Sequence, residues 1–108
     1  MNHHETDTLF KSLADPTRRR LFEHLCMEGE KSVRALTDRA GFSQPAVSKH
    51  LAVLKEAGLV TGQQRGRETH YAARADGLRV LVDWMDHMTR FWETKFDRLG
   101  DLLKRMDQ

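Results

Sequence analysis

The feature that most constrains this chain is a pair of short helical segments, each with its own start and stop signals. Ser32 and Ser43 stand at candidate N-cap positions, where a serine hydroxyl accepts a hydrogen bond from a backbone N–H of the first turn. Gly41 and Gly58 stand where the segments would end, because glycine readily adopts the left-handed conformation of a helix C-terminus. These signals predict two helices, over residues 33–40 and 44–57.

Two helices joined by a short turn that contains glycine have the sequence layout of a helix-turn-helix. In the second helix Pro45 lies in the first turn, where its missing N–H costs no hydrogen bond. Val47, Leu51 and Leu54 fall on one face of that helix. We therefore expect these three side chains to be buried and the opposite face of the helix to be exposed.

The hydrophobic period changes directly after Gly58. Residues 61–65 have the pattern of an extended strand, Gly66 marks a tight turn, and residues 68–73 form a second extended run. A hairpin that follows a helix-turn-helix is a wing, and we predict it over residues 61–73. The tip of this wing, Arg65-Gly66-Arg67, is basic.

Two further helices are predicted before the helix-turn-helix. Residues 5–14 carry apolar side chains at helical spacing. Asp15-Pro16 then has the pattern of an N-cap followed by proline at the first helical position, so a second helix begins there. This helix is expected to bury Leu25, and Cys26 beside it is expected to be a buried, inert thiol.

The C-terminal third of the chain predicts one long helix over residues 76–106, because apolar residues recur every three or four positions. Such a helix would be about 46 Å long at 1.5 Å per residue, and a domain this small cannot cover all of its apolar stripe. The simplest partner is the same helix of a second copy. We therefore predict a homodimer whose interface contains Leu81, Met85, Met88, Phe91, Trp92 and Leu99.

The chain is expected to form one domain over residues 1–108, because this is a usual size for a single domain and no Gly-, Pro- or Ser-rich linker divides it. Residues 5–75 would form the winged core and residues 76–106 the dimerisation helix. The predicted fold class is mainly α with a small β-hairpin (α+β). The architecture is a winged helix-turn-helix with a long C-terminal helix.

The positive charge is concentrated in the middle of the chain. Residues 11–74 contain 12 Lys or Arg against 7 Asp or Glu, whereas residues 75–108 contain 6 against 7. A basic centre suits a polyanionic partner such as double-stranded DNA, although Lys and Arg also cover many ordinary solvated helix faces.

The sequence disfavours an enzyme and a membrane protein. It offers no nucleophile–base pair, no metal-ligand set and no phosphate-binding glycine loop. No apolar run has the length of a membrane span, and no signal-peptide pattern is present. Cys26 is the single cysteine, which excludes an internal disulfide and fits a reducing compartment. We therefore expect a cytoplasmic protein without catalytic activity.

Three segments resemble the ArsR-type winged helix-turn-helix repressors. They are FKSLADPTRRRLFEHL from Phe10, FSQPAVSKHLAVLKEAGLV from Phe42 and GRETHYAA from Gly66. The C-terminal sequence DWMDHMTRFWETKFDRL resembles a subgroup of these repressors without a known metal site. The resemblance implies a homodimer that binds an operator of twofold symmetry, usually to repress its own operon. Helix 44–57 would enter the major groove and the wing would contact the flanking DNA.

The exposed face of helix 44–57 is the expected DNA-reading surface. Gln44 can form paired hydrogen bonds with an adenine edge, Ser48 permits close approach, and Lys49 supplies a positive charge. For His50 we favour a structural role at the junction of helices 33–40 and 44–57, with a DNA contact as the alternative. The candidate DNA contacts are Ser43, Gln44, Pro45, Ser48, Lys49, Arg65 and Arg67, followed by Lys31, Arg34 and His50.

The signal that would control DNA binding is unknown from the sequence. Family members that sense metals through a pair of thiolates carry them in the third helix, and residues 33–40 contain no cysteine. Asp83 and His87 fall short of the four ligands that zinc requires. We expect no metal and no cofactor. Two alternatives stay open: a metal- or ligand-responsive derepressor with an effector site between the subunits, and a winged-helix module that binds only proteins.

Overall fold

The computed structural model describes residues 3–107, which fold as five α-helices packed against a small sheet. The helices are α1 (His3–Ala14), α2 (Pro16–Glu28), α3 (Val33–Ala40), α4 (Gln44–Glu56) and α5 (Arg79–Met106). The strands are β1 (Lys31–Ser32), β2 (Val60–Arg65) and β3 (Glu68–Ala73), and a short 3-10 turn, Ala75–Leu78, precedes α5. The predicted mainly helical fold with a wing and a long C-terminal helix is confirmed.

Side-chain caps fix the starts of α2, α3 and α4. Asp15, Ser32 and Ser43 each accept a hydrogen bond from a backbone N–H of the first turn, at 3.0, 3.1 and 3.3 Å respectively. Gly41 and Gly58 follow α3 and α4 with φ angles of 73° and 80°, which other residues rarely adopt. The predicted start and stop signals are thus confirmed, except that α4 ends at Glu56, one residue early.

The sheet has three strands in the order β1-β3-β2, each antiparallel to its neighbour. β2 and β3 form the wing, in which Val60 pairs with Ala73, so the wing begins one residue before its predicted start. Gly66 has a φ of 64° and lies first in the two-residue turn, as one type of tight hairpin turn requires. The predicted hairpin is present, but the sheet is larger than predicted, because β1 adds a third strand in which Lys31 pairs with Tyr71.

The helices and the beginning of β2 surround one apolar core. Val47, Leu51 and Leu54 are fully buried, which confirms the predicted inner face of α4. Burying each such side chain contributes about 1.5–3 kcal/mol, so this face fixes the orientation of the helix. The buried core consists of Leu9, Leu21, Phe22, Leu25, Val33, Leu36, Val47, Leu51, Leu54, Leu59, Val60 and Leu81.

The C-terminal helix differs from its predicted bounds. A 3-10 turn occupies residues 75–78, so α5 begins at Arg79 instead of Asp76. This turn brings Gly77 against the end of α4, where a Cβ on Gly77 would collide with the backbone carbonyl oxygen of Gly58. Leu81 is 9% exposed and belongs to the core of the chain, so little of its side chain is left for the predicted dimer interface.

The rest of α5 extends away from the core. The helix has 28 residues and is about 42 Å long at 1.5 Å per residue. The molecule measures 73 × 26 × 20 Å. Within residues 3–107, nine of the twelve large apolar side chains that are exposed lie on α5. This α5 stripe consists of Val82, Met85, Phe91, Trp92, Phe96, Leu99, Leu102, Leu103 and Met106.

α5 also contacts the first helix of the chain. The rings of Trp84 and Phe10 meet edge to face, with centroids 5.1 Å apart. Although α5 is long, no helix in residues 3–107 combines the length and the hydropathy needed to cross a bilayer.

Cys26 is exposed on α2, so the prediction of a buried thiol is wrong. Leu25 points into the core, and the next residue along a helix is turned away by about 100°. Partial desolvation raises the pKa of the Cys26 thiol, and the negative charge of Glu23 raises the pKa further. The thiolate fraction at neutral pH is therefore small.

Candidate nucleic-acid interface

The surface of α4 that faces away from the core carries the predicted DNA-reading residues. Gln44, Pro45 and Lys49 are exposed, and Ser48 is half-buried. Ser43, directly before the helix, is also exposed, and its hydroxyl is used to cap the backbone. The fully buried face behind them holds α4 in place, so this set is presented on a rigid element.

A groove of about 530 Å³ lies between α3, α4 and the wing, and we call it the wing groove. Its walls bring together Arg34 of α3, Gln44 and Ser48 of α4, and Arg67 of the wing tip. These residues come from three separate elements, and the fold gathers them on one surface. Lys49 is exposed on α4 outside the walls of this groove.

The wing groove also contains two carboxylates that sequence analysis did not single out. Asp38 of α3 and Glu68 of β3 line the groove together with the two arginines. Glu68 is also paired with His70 at 3.7 Å. Carboxylates repel phosphates but accept hydrogen bonds from the amino group of cytosine. The groove therefore suits base edges better than it suits the DNA backbone alone.

The two wing arginines have different surroundings. Nη1 of Arg65 lies 2.9 Å from Oε2 of Glu30, and its Nη2 donates a hydrogen bond to the side-chain oxygen of Gln63 at 3.3 Å. Arg67, by contrast, forms no ion pair with any residue of 3–107 and lines the wing groove. The charge of Arg67 is therefore available to an external anion, whereas that of Arg65 is shared with Glu30.

The two further basic candidates are placed differently. Arg34 is exposed in the first turn of α3 and lines the wing groove. Lys31 is half-buried in β1, opposite Tyr71, and does not line that groove. Of the two, Arg34 is the one that the fold brings beside the reading face of α4.

His50 contacts the start of α2 rather than the α3–α4 junction that we expected. Its Nδ1 lies 3.5 Å from Nη1 of Arg18. Arg18 also donates hydrogen bonds to the carbonyl oxygens of Ser12 and Lys11, at 2.7 and 3.2 Å. One guanidinium thus connects the end of α1 to α4. The periodicity of α4 could not reveal this contact, because the partner of His50 lies on another helix.

Asp15 belongs to the same network. Its pKa is lowered, mainly because the carboxylate accepts a hydrogen bond from the backbone N–H of Arg18, while partial desolvation opposes the shift. The positive charges of His50 and Arg18 add to the lowering of this pKa. The carboxylate is therefore ionised at neutral pH and stabilises both the start of α2 and the Arg18 guanidinium beside it.

The part of the chain that the structure describes has no group of three or more His, Cys, Asp and Glu side chains placed to hold a metal ion. Asp83 and His87 are both exposed on α5.

Comparison with known proteins supports an assignment by family. A family model described as a helix-turn-helix domain matches residues 13–63, from the end of α1 to β2. The arsenic resistance transcriptional regulator ArsR1 of Pseudomonas putida is 37% identical over 82 residues, which cover 76% of this chain and 61% of that protein. The HTH-type transcriptional regulator Rv2034 of Mycobacterium tuberculosis is 40% identical over 86 residues, which cover 80% of this chain and 77% of that protein.

The fold is also similar to solved structures. An ArsR-like transcriptional regulator from Rhodococcus sp. RHA1 has a TM-score of 0.80 and 26% sequence identity, with 93% of each chain covered. The family-model match covers the part of the chain that carries α2, α3 and α4, and the structural similarity covers nearly all of the chain.

Proposed function

The chain belongs to the ArsR family of winged helix-turn-helix transcriptional regulators, and on that basis we propose that it is a homodimeric repressor of a palindromic operator. As a member of this family it is a DNA-binding regulator and not an enzyme. The observation that carries the proposal is the wing groove, in which Gln44 and Ser48 lie beside Arg34 and Arg67. Because its proposed partner is operator DNA, the protein would act in the cytoplasm.

In this proposal the N-terminal half of α4 enters the major groove. The side-chain amide of Gln44 pairs with an adenine edge, a contact that contributes about 1–3 kcal/mol of discrimination. The hydroxyl of Ser48, about one helical turn further along, contacts a base edge or a phosphate. Lys49 and Ser43 contact the DNA backbone beside the major groove, and Pro45 packs against the bases.

The wing and α3 supply the flanking contacts. Arg67 binds a phosphate or the minor groove, since its charge is not used within the protomer. Arg65 contributes less, because it is shared with Glu30. Arg34 and Lys31 add contacts to the DNA backbone. We assign no DNA contact to His50, because Arg18 already engages its ring.

The α5 stripe is the proposed dimer interface. Monomeric proteins rarely expose a continuous apolar surface of this kind, and the same stripe of a second copy would cover it. Two copies related by a twofold axis would present two α4 helices to half-sites about one DNA turn apart, or about 34–36 Å. Of the interface residues predicted from sequence, Met85, Met88, Phe91, Trp92 and Leu99 are retained, and Leu81 is not.

Fluorescence anisotropy with the promoter DNA of the protein's own gene tests the proposal. We expect tight binding at low salt, a steep loss of affinity as salt rises, and weaker binding to a scrambled duplex of the same composition. Absence of binding at low salt would contradict the repressor. It would favour the alternative of a winged-helix module that binds only proteins. The exposed positive charges of Lys49 and Arg67 argue against that alternative.

A further inference from the structure

A second cavity lies on the far side of α3 from the wing groove. It is a cleft of about 370 Å³ between α2 and α3, and none of the proposed DNA contacts lines it. Its volume falls within the range of about 300–1,000 Å³ that is usual for small-molecule sites. We call it the α2–α3 cleft.

The floor of the α2–α3 cleft is apolar and one end reaches the turn of the helix-turn-helix. Leu21 and Leu36 contribute buried side chains of the core. Phe42, in the turn between α3 and α4, lines the cleft and is 50% exposed. An exposed phenyl ring at this position is a surface that a flat apolar group can cover.

The rim of the cleft is cationic. Arg20 of α2 is exposed and has no ion-pair partner within residues 3–107. Arg39 of α3 lies 3.4 Å from Glu28, which is also 3.9 Å from His24. Exposed pairs of this kind contribute little to stability, so an incoming anion can replace Glu28 at Arg39 at low cost.

We propose that the α2–α3 cleft binds a small organic carboxylate with a flat apolar body. The carboxylate is held by the guanidinium groups of Arg20 and Arg39, whose forked donors match its two oxygens. The apolar body lies over Leu21 and Leu36 against the ring of Phe42. A DNA phosphate would gain nothing from contact with this apolar floor. A metal ion is also disfavoured, because residues 3–107 contain no group of three His, Cys, Asp or Glu side chains placed to bind one.

Occupation of the cleft would act on α4 through Phe42, which lies two residues before Gln44. This regulatory step rests on the proposed DNA-binding function, whereas binding of the carboxylate does not. The two are therefore tested separately.

The binding test is a titration of the full chain, without DNA, with phenylacetate, followed by backbone amide NMR shifts. We expect saturable shifts at Arg20, Leu21 and Phe42, with no comparable shifts in the wing. The neutral analogue 2-phenylethanol should bind about tenfold more weakly, because it lacks a charge-assisted hydrogen bond. Arg20→Gln should weaken the binding of phenylacetate by a similar factor. Arg79→Gln removes an exposed charge outside the cleft and should leave the affinity for phenylacetate unchanged.

Several results would overturn the site. They are the absence of shifts at millimolar phenylacetate, equal binding of the neutral analogue, or unchanged affinity in Arg20→Gln. If Arg20→Gln weakened operator binding in the absence of carboxylate, the cleft would belong to the DNA footprint and the proposal would be wrong.

The regulatory step is tested by operator anisotropy with and without saturating phenylacetate. We expect a changed operator affinity in the natural protein and no change in Arg20→Gln. An unchanged affinity with a filled cleft would remove the regulatory role and leave the binding site standing. A protein that binds no operator under any condition would contradict the proposed function but not the site.

Discussion

Different residues of α4 are expected to recognise the base sequence and to attract the DNA backbone electrostatically. Gln44 and Lys49 are both exposed on this helix. The amide of Gln44 can match the hydrogen-bonding pattern of one base, whereas the ammonium of Lys49 acts as a point charge. Substitutions at these two positions should therefore have effects of different kinds.

Gln44→Ala should relax sequence preference at one base position per half-site. Lys49→Ala should weaken binding to all sequences and lower the salt slope by about 1, because one phosphate contact is lost. Anisotropy with single-base operator variants at several salt concentrations measures both effects. An unchanged sequence preference in Gln44→Ala would show that α4 is docked differently.

Asp15 should make stability depend on pH at the acidic end. Because its pKa is lowered in the folded protein, its contribution is fully present above the unfolded value of about 3.8 and is lost as pH falls through the folded value. Asp15→Ala should therefore lower Tm at neutral pH, where the carboxylate caps α2. The difference in Tm from the natural protein should shrink below about pH 3.8.

Thermal unfolding followed by circular dichroism, from neutral pH down through this range, measures the effect. Asp15→Asn is the matched control, because its amide oxygen can still accept from the Arg18 N–H but carries no charge. A Tm difference for Asp15→Ala that is the same at every pH would contradict the role assigned to ionisation.

Among the secondary-structure elements, those with local signals could be predicted from the sequence. A serine and a glycine at the two ends of α3 are enough to predict its bounds, since a helix cap depends only on the nearest backbone groups. β1 could not be predicted, because two residues have no periodicity and Lys31 finds its partner Tyr71 far along the chain. Leu81 has the helical phase of the α5 stripe, but the preceding 3-10 turn places it in the core.

The candidate site was predictable to the same extent. The exposed face of α4 follows from the phase of its three buried residues. By contrast, Asp38 and Glu68 line one groove only because α3 packs beside β3, so no local pattern identifies them as parts of one site. The pairing of His50 with Arg18 is likewise a product of packing between helices.

The junction of α4 with the 3-10 turn should be intolerant of a side chain. Gly77→Ala would force its Cβ against the carbonyl oxygen of Gly58, and the required displacement should cost about 1–3 kcal/mol of unfolding free energy. Gly100→Ala is the control, because a Cβ there meets open space within α5. It should stabilise the protein by about 0.5–1 kcal/mol. Urea unfolding measures both, and equal signs for the two variants would contradict the close approach at Gly77.

For the molecule as a whole, the α5 stripe makes stability depend on assembly. Leu99→Glu places a charge within the proposed interface, far from the core, and should yield monomers by sedimentation and weaken operator binding. Thr94→Glu adds the same charge on the opposite face of α5 and should remain dimeric. The natural protein should also show a Tm that rises with protein concentration, as a dimer must. An unchanged mass in Leu99→Glu would disprove this interface.

The two tryptophans, Trp84 and Trp92, lie in different surroundings on α5 and can serve as separate fluorescent probes, because only Trp84 contacts Phe10 of α1. Trp84 is half-buried against α1, whereas Trp92 is 52% exposed in the α5 stripe. The emission of Trp84 therefore reports whether α5 is attached to the folded body. The emission of Trp92 reports whether water still reaches the distal part of that helix. Replacing either indole with phenylalanine would let the attachment of α5 and the pairing of two chains be followed independently, without an added label.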